Sequence, residues 1–174
     1  MDEKEKIKIR QEILSHDRLT EVLHYDPITG IFTWKKQMMG RIKIGQRAGT
    51  INANGHRQIR LDRLTWMSHR LAWFYVHGVW PENEIDHRDL VKDNNAIVNL
   101  REATHVENCN NRRASPKTNK SGYKGVSLLR GRWHAQIKQK GKCYHLGYFD
   151  DPAEAHAVYV AASKRLHGDF GRTA

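Results

Sequence analysis

The sequence predicts an α+β protein: small β-hairpins, then a compact hairpin-and-helix core, then a C-terminal three-stranded antiparallel sheet packed on one helix. Three observations carry that expectation. Turn residues separate strand-forming runs in Tyr25-Asp26-Pro27-Ile28-Thr29-Gly30-Ile31-Phe32-Thr33-Trp34, and again at Asn54-Gly55. Between Ser68 and Arg112, a helical pattern ending at Gly78 is followed by short runs rich in His, Asp and Asn. Further on, Trp133, Ala135 and Ile137 alternate with His134, Gln136 and Lys138, before Asp151-Pro152 opens an Ala-rich helix.

A chain of 174 residues has room for one domain of ordinary size or two small ones. Its composition divides it into helices and hairpins at 1–61, the core at 62–113, a basic linker at 114–121, and the sheet with its helix at 122–174. The formal charge of +11 points to a polyanionic partner. A membrane surface is the weaker choice. No long apolar run occurs, and Met1-Asp2-Glu3-Lys4 opens with mixed charge where a signal peptide would be basic and then apolar. A soluble, cytoplasmic protein is expected. Cys109 and Cys143 lie 34 residues apart with no Cys-x-x-Cys, so free thiols are expected in place of a zinc site or disulfide framework.

Residues 3 to 14 carry Ile7, Ile13 and Leu14 among Lys and Glu, which suggests a short helix. A second helix is expected from about Arg18 to His24, capped by Asp17, with Leu19, Val22 and Leu23 on one face. Around Asn54-Gly55, His56, Gln58 and Arg60 alternate with Arg57, Ile59 and Leu61, and Arg41, Lys43 and Arg47 precede them. These basic positions read equally as a DNA-lining face or a solvated strand face. Ser68 is a candidate N-cap for a helix from His69 to about His77 that Gly78 ends, with Trp73 and Trp80 packing.

The chemistry concentrates at Asp86-His87, Asn99 and Asn108. Hydrolysis of a phosphodiester needs a base for the attacking water and a cation for the charge that builds on phosphate and leaving oxygen. An imidazole supplies the first near neutral pH, and a hard divalent ion on oxygen ligands supplies the second. His87 suits the base, and Asp86 and Asn108 suit an Mg²⁺ or Mn²⁺ ion. Taken singly these residues are ordinary. An Asp-His pair reads as a turn or surface pair, Asn94-Asn95 as a turn signal, and Asn99 as a loop brace. Because neighbours on a strand face opposite ways, Asp86 and His87 can serve one phosphate only if the strand ends or twists there.

The run His69-Arg70-Leu71, Ile85-Asp86-His87-Arg88-Asp89, Asp93-Asn94-Asn95, Asn99-Leu100-Arg101 and Asn108 closely resembles the H-N-H nuclease family, specifically the phage homing-type endonucleases. The resemblance implies a ββα-metal finger holding one divalent ion. It implies His87 as general base, Asp86 and Asn108 as metal ligands, and Asn99 as the residue that orients or braces the His. One departure is that Leu90-Val91 stands where the family usually has Gly-Asn. Arg70 is the expected phosphate contact of the helix. The order from Tyr25-Asp26 through Gly30 and Trp34 to Asn54-Gly55 also looks like the segment that precedes the nuclease core in many phage members.

Past Asn108, residues 110 to 149 hold ten Lys or Arg and no Asp or Glu. Arg112, Arg113, Lys117 and Lys120 fall in or beside the polar linker, where they are expected to lie along a DNA backbone. From Gly122, three short strands lead to a helix whose expected packing face is Ala155, Ala157, Val158, Ala161, Ala162 and Leu166. Gly122-Tyr123-Lys124-Gly125-Val126, Arg132-Trp133-His134-Ala135-Gln136-Ile137, Leu146-Gly147-Tyr148-Phe149 and the Ala-rich helix resemble the APETALA-two DNA-binding domain, whose open sheet face enters the major groove. Mapped onto this chain, that resemblance implies Lys124, Gln136, Lys138 and His145, and Arg130 and Arg132 complete the expected DNA-binding set. The expected protein is therefore a metal-dependent endonuclease on double-stranded DNA, acting as a monomer without a membrane. The alternative is a DNA-binding regulator that has lost catalysis.

Overall fold

The structure is a computed structural model that describes residues 5, 11–37, 42–111, 119, 121–139 and 141–171. The helix expected over 3–14 lies mostly outside the described residues, as does most of the linker at 114–121. The chain mixes helix and sheet, as an α+β protein does, and divides into two compact units, Met1–Glu102 and Ala103–Ala174.

In the first unit, helix α1 (His16–Val22) is capped by Ser15, whose hydroxyl accepts from the Arg18 amide. The expected cap, Asp17, instead sits in the first turn, where its charge complements the helix dipole. The helix also starts and ends two residues earlier than expected, because Leu23 turns extended and begins strand β1 (Leu23–Asp26), which pairs antiparallel with β2 (Ile31–Trp34). Strands β3 (Thr50–Ile51), β4 (Arg57–Leu61) and β5 (Leu64–Met67) form a second antiparallel sheet in that order.

Strand β5 runs without a break into helix α2 (Ser68–His77). Ser68 is not its cap: Met67 holds that position, and the Ser68 side chain is fully buried with its hydroxyl unpartnered, because the strand enters the helix with this residue turned to the core. Gly78 ends α2 in the left-handed conformation, φ 71°, as expected. Strand β6 (Glu84–His87) and β7 (Leu100–Ala103) form a two-stranded sheet, with a 3₁₀ turn at Ile97–Asn99 between them.

One core runs through this unit from Leu14 to Leu100, with Leu19, Phe32, Ile59 and Leu71 fully buried. The domain boundary expected at 61/62 falls inside the β4–β5 hairpin, where Leu61 pairs with Leu64. Small hairpins cannot close a core alone, and these share theirs with α2 and β6.

The second unit opens with helix α3 (His105–Asn111). It starts in a capping box: the Thr104 amide donates to the Glu107 carboxylate and the Glu107 amide to the Thr104 hydroxyl. Strands β8 (Val126–Leu129), β9 (Arg132–Gln139) and β10 (Lys142–Phe149) form an antiparallel sheet with β9 in the middle, packed on helix α4 (Pro152–His167). The alternation is as expected, with Ala135 and Ile137 buried and Gln136 and Lys138 exposed. The packing stripe of α4 is different. Ala155, Tyr159, Ala162 and Ser163 are buried, while Ala157 and Ala161 are exposed, because a 3.6-residue period carries those two to the far side. Tyr159 reaches across to Gly125, where any Cβ would come within 2.1 Å of the ring.

Candidate active site

Strand β6 ends at His87, the second of the two adjacent candidate residues. Ile85, Asp86 and His87 are all buried, so the regular outward turn of alternate residues is already lost. The chain then folds back: the Leu90 amide donates to the His87 carbonyl and the Arg88 amide to that of Asn99. Leu90 takes φ 63°, the left-handed conformation that glycine adopts at no steric cost. The turn therefore survives the absence of glycine, with its strain carried by Leu90.

The His87 ring is held by Asn95. His87 Nε2 lies 3.1 Å from Asn95 Oδ1 in a buried contact. Asn95 Nδ2 donates to the Asp93 carbonyl, which fixes the amide with its oxygen towards the imidazole. An amide oxygen only accepts, so Nε2 carries the proton and the ring's lone pair lies on Nδ1. Asn99 works on the same loop from the other side. Its Oδ1 accepts from the Asp89 amide, and its Nδ2 donates to Asp89 Oδ1 and the Asn94 carbonyl.

The N-terminal hairpins clamp this loop. The Tyr25 hydroxyl donates to the Asn95 carbonyl at 2.7 Å, and the Ile97 amide to that of Pro27. Gly30 packs so closely that a Cβ there would come within 2.2 Å of the Asn95 and Ala96 backbone. Arg57 binds both oxygens of Asp93, at 2.8 and 3.0 Å, and Arg47 adds a third contact. Burial raises the Asp93 pKa, but the two guanidiniums outweigh it and hold the carboxyl below its ordinary range.

Asp86, 4% exposed, is ion-paired with Arg101: Nε and Nη2 both reach Oδ2 at 2.8 Å. Asn108 lies in α3, in the second unit, with its amide on the Thr104 carbonyl. Arg70 donates to the carbonyls of Pro81 and Asn83, so in this structure it ties α2 to the loop before β6.

A feature absent from the sequence reading is a cluster of imidazoles. His56, His69 and His87 come together with one ring nitrogen of each within 4.8 Å of the others. Burial, followed by the neighbouring His87, lowers the pKa of both His56 and His69, that of His69 strongly. Asn95 was equally hidden, since Asn94-Asn95 reads as a turn. Its only other signal is the distant Tyr25.

In the second unit, Gln136 and His145 are cross-strand partners on the open sheet face, and Lys138 stands beside them. His134 and Tyr148 complete that face, with His134 Nε2 2.6 Å from His145 Nδ1 and the two rings stacked. Arg132 is bonded to Asp150, Lys124 donates to the Asn110 carbonyl, and Arg130 lies at the exposed β8–β9 turn. Arg112, Arg113, Lys117 and Lys120 lie outside the described residues. Cys109 and Cys143 are both free thiols. No helix among the described residues is long and apolar enough to cross a membrane.

Residues 67–109 match the family model described as HNH endonuclease, which supports an HNH nuclease. The matched stretch contains Asp86, His87, Asn95, Asn99 and Asn108, but neither His56 nor the C-terminal sheet. No curated protein and no solved structure matches the chain.

Proposed function

We propose that this protein is a metal-dependent DNA endonuclease of the phage homing type, with His87 as general base, aimed by its C-terminal sheet. The observation that carries this reading is the buried His87–Asn95 hydrogen bond inside the stretch that matches an HNH endonuclease. His87 Nδ1 takes a proton from the attacking water, and Asn95 keeps Nε2–H bonded while the ring becomes an imidazolium. Asn99 and the hairpins keep Asn95 in place. A divalent ion, Mg²⁺ or Mn²⁺, would be held by Asp86 and Asn108 and would neutralise charge on the phosphate and leaving oxygen. A carboxylate and an amide oxygen fit a hard ion chemically, although the ion would share Asp86 with Arg101.

The sequence of the C-terminal unit resembles an APETALA-two domain, and in this reading its open sheet face supplies the contacts to double-stranded DNA. Lys124, Gln136, Lys138 and His145 face base edges, while Arg130, Arg132 and the basic residues at 112–120 contact phosphates. With one such site per chain, the protein cuts as a monomer, one strand at a time. A second reading is a DNA-binding regulator without catalysis, favoured by the guanidinium that already occupies Asp86.

The test is conversion of supercoiled DNA to nicked or linear forms with Mg²⁺, Mn²⁺ or chelator. Cutting should require the ion and fall by about 10²- to 10⁴-fold in His87→Ala, with DNA binding retained. Binding without cutting under either ion would leave the regulator reading.

A further inference from the structure

We propose that His56, His69 and His87 form a second metal site, for a borderline transition-metal ion such as Zn²⁺, and that an ion bound there withdraws His87 from catalysis. The three rings come from separate parts of the first unit: the turn before β4, the first turn of α2 and the end of β6. Their centroids lie 5.2, 5.3 and 5.6 Å apart, and one nitrogen from each falls within 4.8 Å of the other two. Around a tetrahedral zinc at 2.0–2.1 Å, nitrogens stand about 3.3 Å apart, so side-chain closure of an ångström or so completes the site. His69 is 8% exposed, and its Nδ1, like that of His56, is buried without a hydrogen-bond partner. Buried polar nitrogens are ordinarily satisfied, and here two unsatisfied ones belong to the same cluster.

The donor chemistry selects the ion. Three imidazoles suit Zn²⁺, Co²⁺, Ni²⁺ or Cu²⁺ and not Mg²⁺, which takes oxygen ligands. His87 already has the outer bond that a metal-bound histidine makes, its Nε2–H on the Asn95 oxygen, so it would bind through Nδ1. That nitrogen is also the proposed base. An ion there and a proton acceptor there exclude each other, so micromolar zinc would inhibit an enzyme that Mg²⁺ or Mn²⁺ supports. The inhibition rests on the nuclease reading, whereas the site itself rests on the histidine geometry alone.

The experiment is zinc titration of the full chain by calorimetry, together with Co²⁺ absorption spectra, in wild type, His56→Gln and His69→Gln. A double variant, His134→Gln with His145→Gln, controls for the histidine pair on the C-terminal sheet. Wild type should take up one high-affinity Zn²⁺ and show the visible absorption of a Co²⁺ ion with nitrogen ligands. Loss of an outer hydrogen bond already weakens metal sites by about 10- to 100-fold, so loss of His56 or His69 as a ligand should cost at least about a hundredfold. The control should bind as wild type does. In the nicking assay, zinc should inhibit over the concentration range in which it binds, and that range should rise in His56→Gln.

Zinc affinity and cobalt spectra that are the same in wild type and His56→Gln, or the absence of a high-affinity ion in wild type, overturn the site. Zinc uptake lost in His56→Gln from a protein that never cuts DNA upholds the site and overturns the nuclease. Cutting that ignores bound zinc overturns the inhibition. His56 is only partly buried, so His56→Gln decides the matter even if His69→Gln fails to fold.

Discussion

The two units place the same residue type in opposite settings. In the first, His87 is 5% exposed, held by Asn95 and backed by a core that runs from Leu14 to Leu100. In the second, His145 lies exposed on a sheet supported by two small clusters, Val126 with Ala135 and Ala155, and Ile137 with Tyr159 and Ala162. A general base must hold one ring angle against thermal motion, which takes dense packing and a fixed hydrogen bond. A DNA-contacting side chain gains from reach and accessible charge, so a thin layer beneath it suffices. With His87 as the proposed base and His145 as the proposed DNA contact, burial in this chain would follow the task of each histidine.

The largest expected effect is on the thin layer. Gly125→Ala brings a methyl group into the Tyr159 ring at a φ of 76°, and should cost the second unit roughly 3 kcal/mol or more. Thermal melts should show this unit unfolding early while the transition of the first unit stays in place. Coincident loss of both transitions would show that the two cores are not independent.

A pair of substitutions sharpens the contrast further. Asn95→Ala removes the buried hydrogen bond that holds the His87 ring, at about 1–3 kcal/mol, and should lower kcat with little change in KM. Arg130→Ala should leave kcat alone and reduce the salt slope of DNA binding by about 1. Single-turnover kinetics and affinity measured over a salt series separate the two. A kcat effect from Arg130→Ala would break the division of labour.

Leu90→Gly should stabilise the first unit by up to about 1 kcal/mol, because strain at φ 63° is relieved and partly offset by the added freedom of the unfolded chain. Chemical denaturation measures it, and a destabilisation would mean that the Leu90 side chain contributes packing that outweighs the strain.

The smallest effect is the acid dependence at Asp93. Its folded pKa is lowered, so its contribution is complete above the unfolded value near 3.9 and is lost as pH falls through the lower folded value. Asp93→Asn should flatten stability against pH in that window and nowhere above it. A difference that persists unchanged below the window would assign the role of Asp93 to hydrogen bonding and not to charge.

Much of the fold was legible because it depends on local period and local turns. The alternation at 132–138, the hairpin turn at Asn54-Gly55, the end of α2 at Gly78 and the Asp151-Pro152 helix start all stand in the structure. Local reasoning erred where neighbours in space took over. Ser68 reads as a cap but is drawn into the core, and Ala157 and Ala161 read as packing residues but yield to Tyr159. Leu90-Val91 stands where the resemblance implies Gly-Asn, yet the backbone still makes the turn, with Leu90 at φ 63°.

By itself the sequence determined the residue types and order behind the proposed phosphodiester chemistry, Asp86-His87 with Asn99 and Asn108, and the basic charge that suits a polyanion. Only the tertiary structure decided which asparagine holds His87, that Arg101 pairs with Asp86, and that His56 and His69 converge on the same ring. Asn95 owes its position to Tyr25 and Gly30, some seventy residues away, and the three histidines come from three separate stretches of the chain. Such contacts are set by how elements pack, and no period along the chain encodes them.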